Sequence, residues 1–156
     1  MPGRKLTAFL DEKGIKYVAI RHSLRFTAQE IAASAHVPGK ELAKTVVFKL
    51  EDELALAVLP ASYRVDFDML KEVAGSKRIE LADEEEFRDR FPDCELGAMP
   101  PFGNLFGMET FVADVLAEDD EIAFNAGSHS ELIRMAYVDF ERLVQPKVMH
   151  FAARTS

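Results

Sequence analysis

The chain has 156 residues, 48% of them hydrophobic and 29% charged, with a single cysteine, no tryptophan and a formal net charge of −8. That length suits one domain, 1–156, burying a continuous core over roughly residues 4–145 without staples. One cysteine excludes an internal disulfide, and the acidic balance excludes a general nucleic-acid binder, DNA included, because phosphate binding rests on lysine and arginine.

The chain opens on a basic segment, Met1 to Lys5. No apolar run long enough for a signal peptide or a membrane span follows, so a cytoplasmic, membrane-free location is the expectation. Leu6, Phe9 and Leu10 share one face of a first helix, which Gly14 ends. Residues 15–20 read as a strand. Thr27 and Glu30 have capping-box spacing and open a short helix through Ile31 and Ala35, broken at Val37-Pro38-Gly39.

Thr45 to Leu50 is a β-branched run, Glu51-Asp52-Glu53 a polar turn and Leu54 to Leu59 a second apolar run. The three predict an antiparallel hairpin. Its strands are apolar on both faces, so it should lie centrally and be covered. Asp66 caps a helix carrying Phe67, Leu70 and Val73. Asp83 caps another, with Glu84, Glu85 and Glu86 in its first turn and Pro92 as its stop. Residues 94–107 form a loop punctuated by Gly97, Pro100, Pro101 and Gly103. Three further strands are expected at 110–116, 121–124 and 131–135, then a last helix over 138–143. The interleaving indicates an α+β fold with a mixed, mostly antiparallel sheet.

Charge is uneven. Residues 1–80 hold 13 basic against 11 acidic side chains, and residues 81–156 hold 6 against 16. Any contact with RNA should therefore be local and confined to the first half, with a shallow dependence on salt.

Each chemically suggestive residue has a plain structural alternative. Lys44, entering a central strand, is either a partly desolvated cation facing a cleft or a solvated strand end. The segment 97–103 is either a rigid cradle of backbone N–H groups or a connection. His129, in the polar stretch Asn125 to Ser130, is either an acid, base or ligand contact, or a turn residue. His22 reads first as a hydrogen-bonded structural histidine. The four histidines, His22, His36, His129 and His150, lack metal-ligand spacing, so neither a metal nor another cofactor is expected. Cys94 stands as a candidate nucleophile only if a partner meets it in space.

In order along the chain, these residues resemble the YbaK/aminoacyl-tRNA-synthetase-associated domain, the editing domain of bacterial prolyl-tRNA synthetase. The features are His22 followed by Thr27-Ala28-Gln29-Glu30, and Lys44 in Ala-Lys-Thr-Val-Val-Phe. Then come Leu59-Pro60-Ala61, Val65-Asp66, the Gly-x-x-x-Pro-x-Gly loop at Gly97, Pro101 and Gly103, and the turn at 125–130. The resemblance covers roughly residues 4–145 and is nearest to free-standing deacylases.

The resemblance implies a mixed, mostly antiparallel, barrel-like sheet with surrounding helices, and hydrolysis of mischarged tRNA in trans. Lys44 would hold the substrate and polarise its carbonyl, and Gly97 and Ala98 would supply N–H groups to the oxyanion. A terminal hydroxyl of the tRNA would stand in for a protein base. A small amino-acid pocket would be lined by Ile20, His22, Phe26, Val46, Met99, Pro101, Gly103, Asn125, Gly127, Ser128 and His129. Arg21, Arg25, Lys40 and Arg64, with Lys44, are the phosphate candidates. The partners implied are the acceptor end of aminoacyl-tRNA and a synthetase. The competing reading is a module that binds aminoacyl-tRNA or a synthetase without chemistry. A third is a hydrolase of another small ester or thioester, with Cys94 as its candidate nucleophile.

Overall fold

The computed structural model describes residues 4–21, 42–92 and 94–154. The expected capping box at Thr27 and the break at Val37-Pro38-Gly39 lie outside them. Helix α1 (Arg4–Glu12) buries Leu6 and Leu10. It ends in a Schellman motif: the Gly14 amide donates to the Asp11 carbonyl at 3.1 Å and the Ile15 amide to the Leu10 carbonyl at 3.0 Å, with Gly14 at φ 68°. Glycine carries no Cβ penalty there. Ile15, expected to start a strand, is thus held by the helix cap, and β1 begins later, at Tyr17–Arg21.

The central hairpin is β2 (Leu42–Leu50) and β3 (Glu53–Pro60), in register from Ala43–Pro60 to Leu50–Glu53. Its two-residue turn places Glu51 at φ 49° and Asp52 at φ 74°, the left-handed geometry that matches strand twist. β4 (Tyr63–Val65) follows, then α2 (Phe67–Ala74), whose cap Asp66 accepts from the amides of Asp68 and Met69 at 3.1 Å each. Next are β5 (Ile79–Leu81) and α3 (Glu84–Phe87), opened by a reciprocal capping box between Asp83 and Glu86. That helix has already tightened to a 3-10 turn at Arg88–Arg90, before Pro92.

A second 3-10 turn, Gly103–Leu105, precedes β6 (Glu109–Ala113). The strand expected to run to Leu116 stops at Ala113. Asp114 opens a helix there, its carboxylate accepting from the Val115 amide at 2.9 Å in the first turn of α4 (Asp114–Ala117), which buries Leu116. Then come β7 (Glu121–Asn125), β8 (Glu131–Ala136), α5 (Tyr137–Val144), β9 (Lys147–Met149) and β10 (Ala152–Arg154).

One sheet runs β1-β8-β7-β2-β3-β6-β9, with β5 also on β2, and β4 and β10 form a small antiparallel pair. The mixed sheet follows from parallel contacts of β2 with β7, β3 with β6 and β6 with β9 among otherwise antiparallel neighbours. One face packs Phe102 against Phe9, Phe124 and Phe140; the other packs Phe48 against Phe111 over Leu70 and Phe151. Phe151 is fully buried, so the core extends past the expected limit at 145.

Candidate active site

The site is built where β2 changes neighbours. Its outer edge pairs in parallel with β7 only at Leu42–Ala123 and Ala43–Phe124, and with β5 only at Phe48–Leu50. Between those contacts Lys44, Thr45 and Val46 have no strand beside them on that edge among the described residues. Lys44 and Asn125 are the next residues past the last parallel pair.

Lys44 is the third residue of β2 rather than its first. Strand alternation puts it on the same face as Leu42, and its antiparallel partner is the fully buried Leu59. The ammonium is half-buried, and desolvation lowers its pKa from the usual 10.5. Among the described residues no carboxylate or carbonyl pairs with it. Lys49, five positions on, shows the opposite arrangement. It binds Glu86 at 2.7 Å and Glu80 at 3.1 Å, and those hydrogen bonds raise its pKa. Lys49 is thus compensated by two carboxylates, whereas Lys44 has no such partner among the described residues, which makes it a candidate for contact with a ligand.

Beyond β7 the chain makes the turn Asn125 to Ser130, in which the Ser128 and Ser130 hydroxyls lie 2.9 Å apart. This turn is stitched to the glycine bend. The Gly127 amide donates to the Ala98 carbonyl at 2.9 Å, and the Glu95 amide donates to the Gly127 carbonyl at 2.8 Å. The bend is a turn from Glu95 to Ala98, closed by the Ala98 amide donating to the Glu95 carbonyl at 3.1 Å, with Gly97 at φ 85° in the third position. Gly97 is exposed, and among the described residues its amide meets the Met99 thioether at 3.2 Å, a weak acceptor.

This geometry corrects the expected pair of oxyanion donors. Ala98 is fully buried and its N–H is spent inside the turn, so of the two amides only that of Gly97 is open to a stronger acceptor. Met99 and Gly103 are committed to the protein itself, Met99 with its sulfur on the Gly97 amide and the rest of its side chain in the core. Met99 packs with Val47, Leu56, Phe87, Phe91 and Met108. The Gly103 amide donates to Thr110 Oγ1 at 3.1 Å, and that side chain with the Met108 carbonyl fills the place of a Cβ. Pro101 is buried beside them.

On the Lys44 face, Ile20 packs with Ala61 against the cluster of Leu42, Ala123 and Leu132. Val46 lies against the Phe48–Phe111 cluster. Arg21 is exposed and pairs with Glu131 at 3.4 Å, while Arg64 is exposed on the separate β4–β10 pair, on an element remote in sheet order from β7. His22, Arg25, Phe26 and Lys40 lie outside the described residues. Cys94 packs against the Phe91–Met99 cluster. Glu95 was not foreseen: its Oε1 accepts from the His129 amide at 3.2 Å. A contact spanning that much chain leaves no local signal. Among the described residues no group of three or more His, Cys, Asp or Glu side chains is placed to hold a metal.

An aminoacyl-tRNA editing domain model matches residues 22–143. The chain belongs to the aminoacyl-tRNA editing domain family. It is 29% identical over 154 residues to the multifunctional Ser/Thr-tRNA deacylase ProXp-y of Escherichia coli strain K12, a match spanning 95% of this chain and 91% of the relative. It is also 29% identical over 77 residues to the proline–tRNA ligase of Thermosipho africanus, which is 14% of that larger protein. Among solved structures, a candidate trans-editing enzyme for prolyl-tRNA synthetase superposes with a TM-score of 0.81 over 99% of this chain and 97% of its own, at 22% identity. The hypothetical protein APE2540 superposes with a TM-score of 0.82 at 18% identity, over 96% of this chain and all of its own. The mixed sheet is therefore the fold of the editing domains. Among the described residues no helix is long and apolar enough to cross a membrane.

Proposed function

We propose that this editing-domain protein is an aminoacyl-tRNA hydrolase that clears mischarged tRNA in trans. The observation that carries the reading is the half-buried Lys44 ammonium, without a counter-charge among the described residues, on the unpaired stretch of the β2 edge and level with the start of the turn that is bonded to the Gly97 bend. In the reaction, water adds to the ester carbonyl, and negative charge grows on its oxygen. The Gly97 N–H leaves its weak sulfur acceptor for that oxygen, and the Lys44 ammonium stabilises the same charge or the adjacent phosphate. The bond to the terminal ribose oxygen then breaks. That oxygen takes up the proton lost by water, relayed by the neighbouring ribose hydroxyl, and free amino acid leaves. No protein base is needed in this scheme.

On the Lys44 face Ile20 and Ala61 pack over the buried Leu42, Ala123 and Leu132, and an apolar surface of this kind suits a small side chain. Serine and threonine come first, given the relative named above and the Ser128–Ser130 hydroxyls nearby. Discrimination among side chains this small is worth only about 1–3 kcal/mol at one site, which is the reason for a separate hydrolytic sieve. The acidic chain favours weak docking on the acceptor end, with a synthetase supplying the remaining contacts.

The test is a panel of seryl-, threonyl-, alanyl- and cysteinyl-tRNA, each incubated with purified protein at several salt concentrations. Clearance of at least one above buffer, declining shallowly with salt, is the expected result; clearance of none removes the reading. The competing reading, binding without hydrolysis, draws on the committed Ala98 amide. It predicts retained tRNA binding with no clearance.

A further inference from the structure

A side chain from the β7–β8 turn holds the Gly97 bend from outside. His129 Nε2 lies 2.7 Å from the Leu96 carbonyl oxygen. A carbonyl only accepts, so Nε2 carries the proton. The ring also covers the Gly97 α-carbon, since a Cβ built there would stand 3.3 Å from His129 Cε1. The histidine is fixed in turn, its own amide donating to Glu95 Oε1 at 3.2 Å.

The Leu96 carbonyl and the Gly97 amide belong to the same peptide plane. That plane is the central peptide of the Glu95–Ala98 turn, the unit that rotates by about 180° between type I and type II turns. Fixing its oxygen against His129 fixes the direction of its N–H. A hydrogen bond at the oxygen also polarises the amide and strengthens it as a donor.

We propose that His129 is a positioning residue that locks the Leu96–Gly97 peptide with its N–H directed at the substrate's developing oxyanion. The imidazole contacts the back of the bend and acts through Gly97. This assignment rests on the hydrolase reading above and adds a role for a residue that the residue pattern had left between turn and ligand contact.

The experiment uses the aminoacyl-tRNA that wild type clears fastest in the panel, with kcat and KM measured for wild type, His129→Ala and His129→Gln. Glutamine places an amide N–H near the position of Nε2. Each protein is also examined by the 15N–1H resonance of the Gly97 amide. His129→Ala is expected to lower kcat about 10- to 100-fold with KM little changed, and to shift the Gly97 resonance. His129→Gln is expected to restore most of both. An unchanged kcat in His129→Ala, a rise confined to KM, or a loss of kcat with the Gly97 resonance unmoved would each overturn the assignment. If wild type clears no member of the panel, the hydrolase reading fails and this role falls with it. An active wild type indifferent to His129 overturns the positioning role alone.

Discussion

Lys44 on β2 and Asn125 on β7 stand at the same level of the sheet, each one residue beyond the Ala43–Phe124 pair. Among the described residues, one strand continues there without a neighbour on that edge, and the other turns toward the glycine bend. The cation and the bend are therefore tied to a single point of the architecture.

Removing the cation should separate chemistry from folding. Lys44→Met is expected to reduce deacylation at least 100-fold, the scale of losing one charge-stabilising group. It should leave the melting temperature unchanged or slightly higher, because a half-buried ammonium with no counter-charge among the described residues costs desolvation. Single-turnover assays and thermal denaturation of the same preparation check both. A melting temperature well below wild type would show that Lys44 is structural.

Burial lowers the Lys44 pKa below its usual 10.5. The ammonium is present below that lowered value and is lost as pH rises through it. Enzymatic clearance, after subtraction of buffer hydrolysis, should fall on the alkaline side before pH 10.5. The stability contribution has the opposite sense: the unfolded chain binds more protons between the lowered value and 10.5, so stability from this group rises with pH across that window. A pH–rate profile and urea melts for wild type and Lys44→Met test the pair. An alkaline limb that persists in Lys44→Met assigns it to another group.

Gly97 and Gly103 should fail in different ways. Gly97→Ala places a Cβ at φ 85° and against His129, a strain of about 1–3 kcal/mol, and it should abolish most clearance. Gly103→Ala must push on the Thr110 side chain and the Met108 backbone in the core, costing about 1–3 kcal/mol or more from overpacking. Its clearance per folded molecule should stay near wild type. Denaturant melts with activity normalised to folded protein make the comparison.

The hairpin tip offers a gain. Glu51 and Asp52 both hold positive φ, which Asn-Gly adopts with less strain. Glu51→Asn with Asp52→Gly should stabilise by about 0.5–1 kcal/mol and raise the melting temperature by about 1–4 °C. The exposed Arg78–Asp52 pair that is lost is a minor debit. A lower melting temperature would show that the ion pair matters more than the backbone.

Phe151 lies fully buried with Phe48 and Phe111. Phe151→Ala should cost about 3–5 kcal/mol, and ending the chain at residue 145 should prevent cooperative unfolding. A truncated chain with an undiminished thermal transition would show that β9 and β10 are dispensable.

Elements with long periodic patterns were legible beforehand. The central hairpin, the caps at Asp66 and Asp83, and Leu6 with Leu10 all declare themselves within a few residues. The strands of three residues, β4, β5, β9 and β10, are too short to show alternation. Ile15 and Asp114 are read wrongly by propensity because each takes part in a helix terminus instead. At the site, Lys44 and Gly97 are visible as residue types in a resembling order. The commitment of the Ala98 amide and the hold of Glu95 and His129 on the bend are not, since these depend on which backbone groups meet in space.

The bonds joining the Gly97 bend to the β7–β8 turn span 33 and 34 positions of chain at His129. Closing so wide a loop carries an entropic cost that local residues do not recover. The hold of His129 on the bend therefore depends on the β7–β8 turn being docked beside it. A molecule caught part-way through maturation holds every reactive group in its covalent structure and still has no rigid amide to offer a substrate.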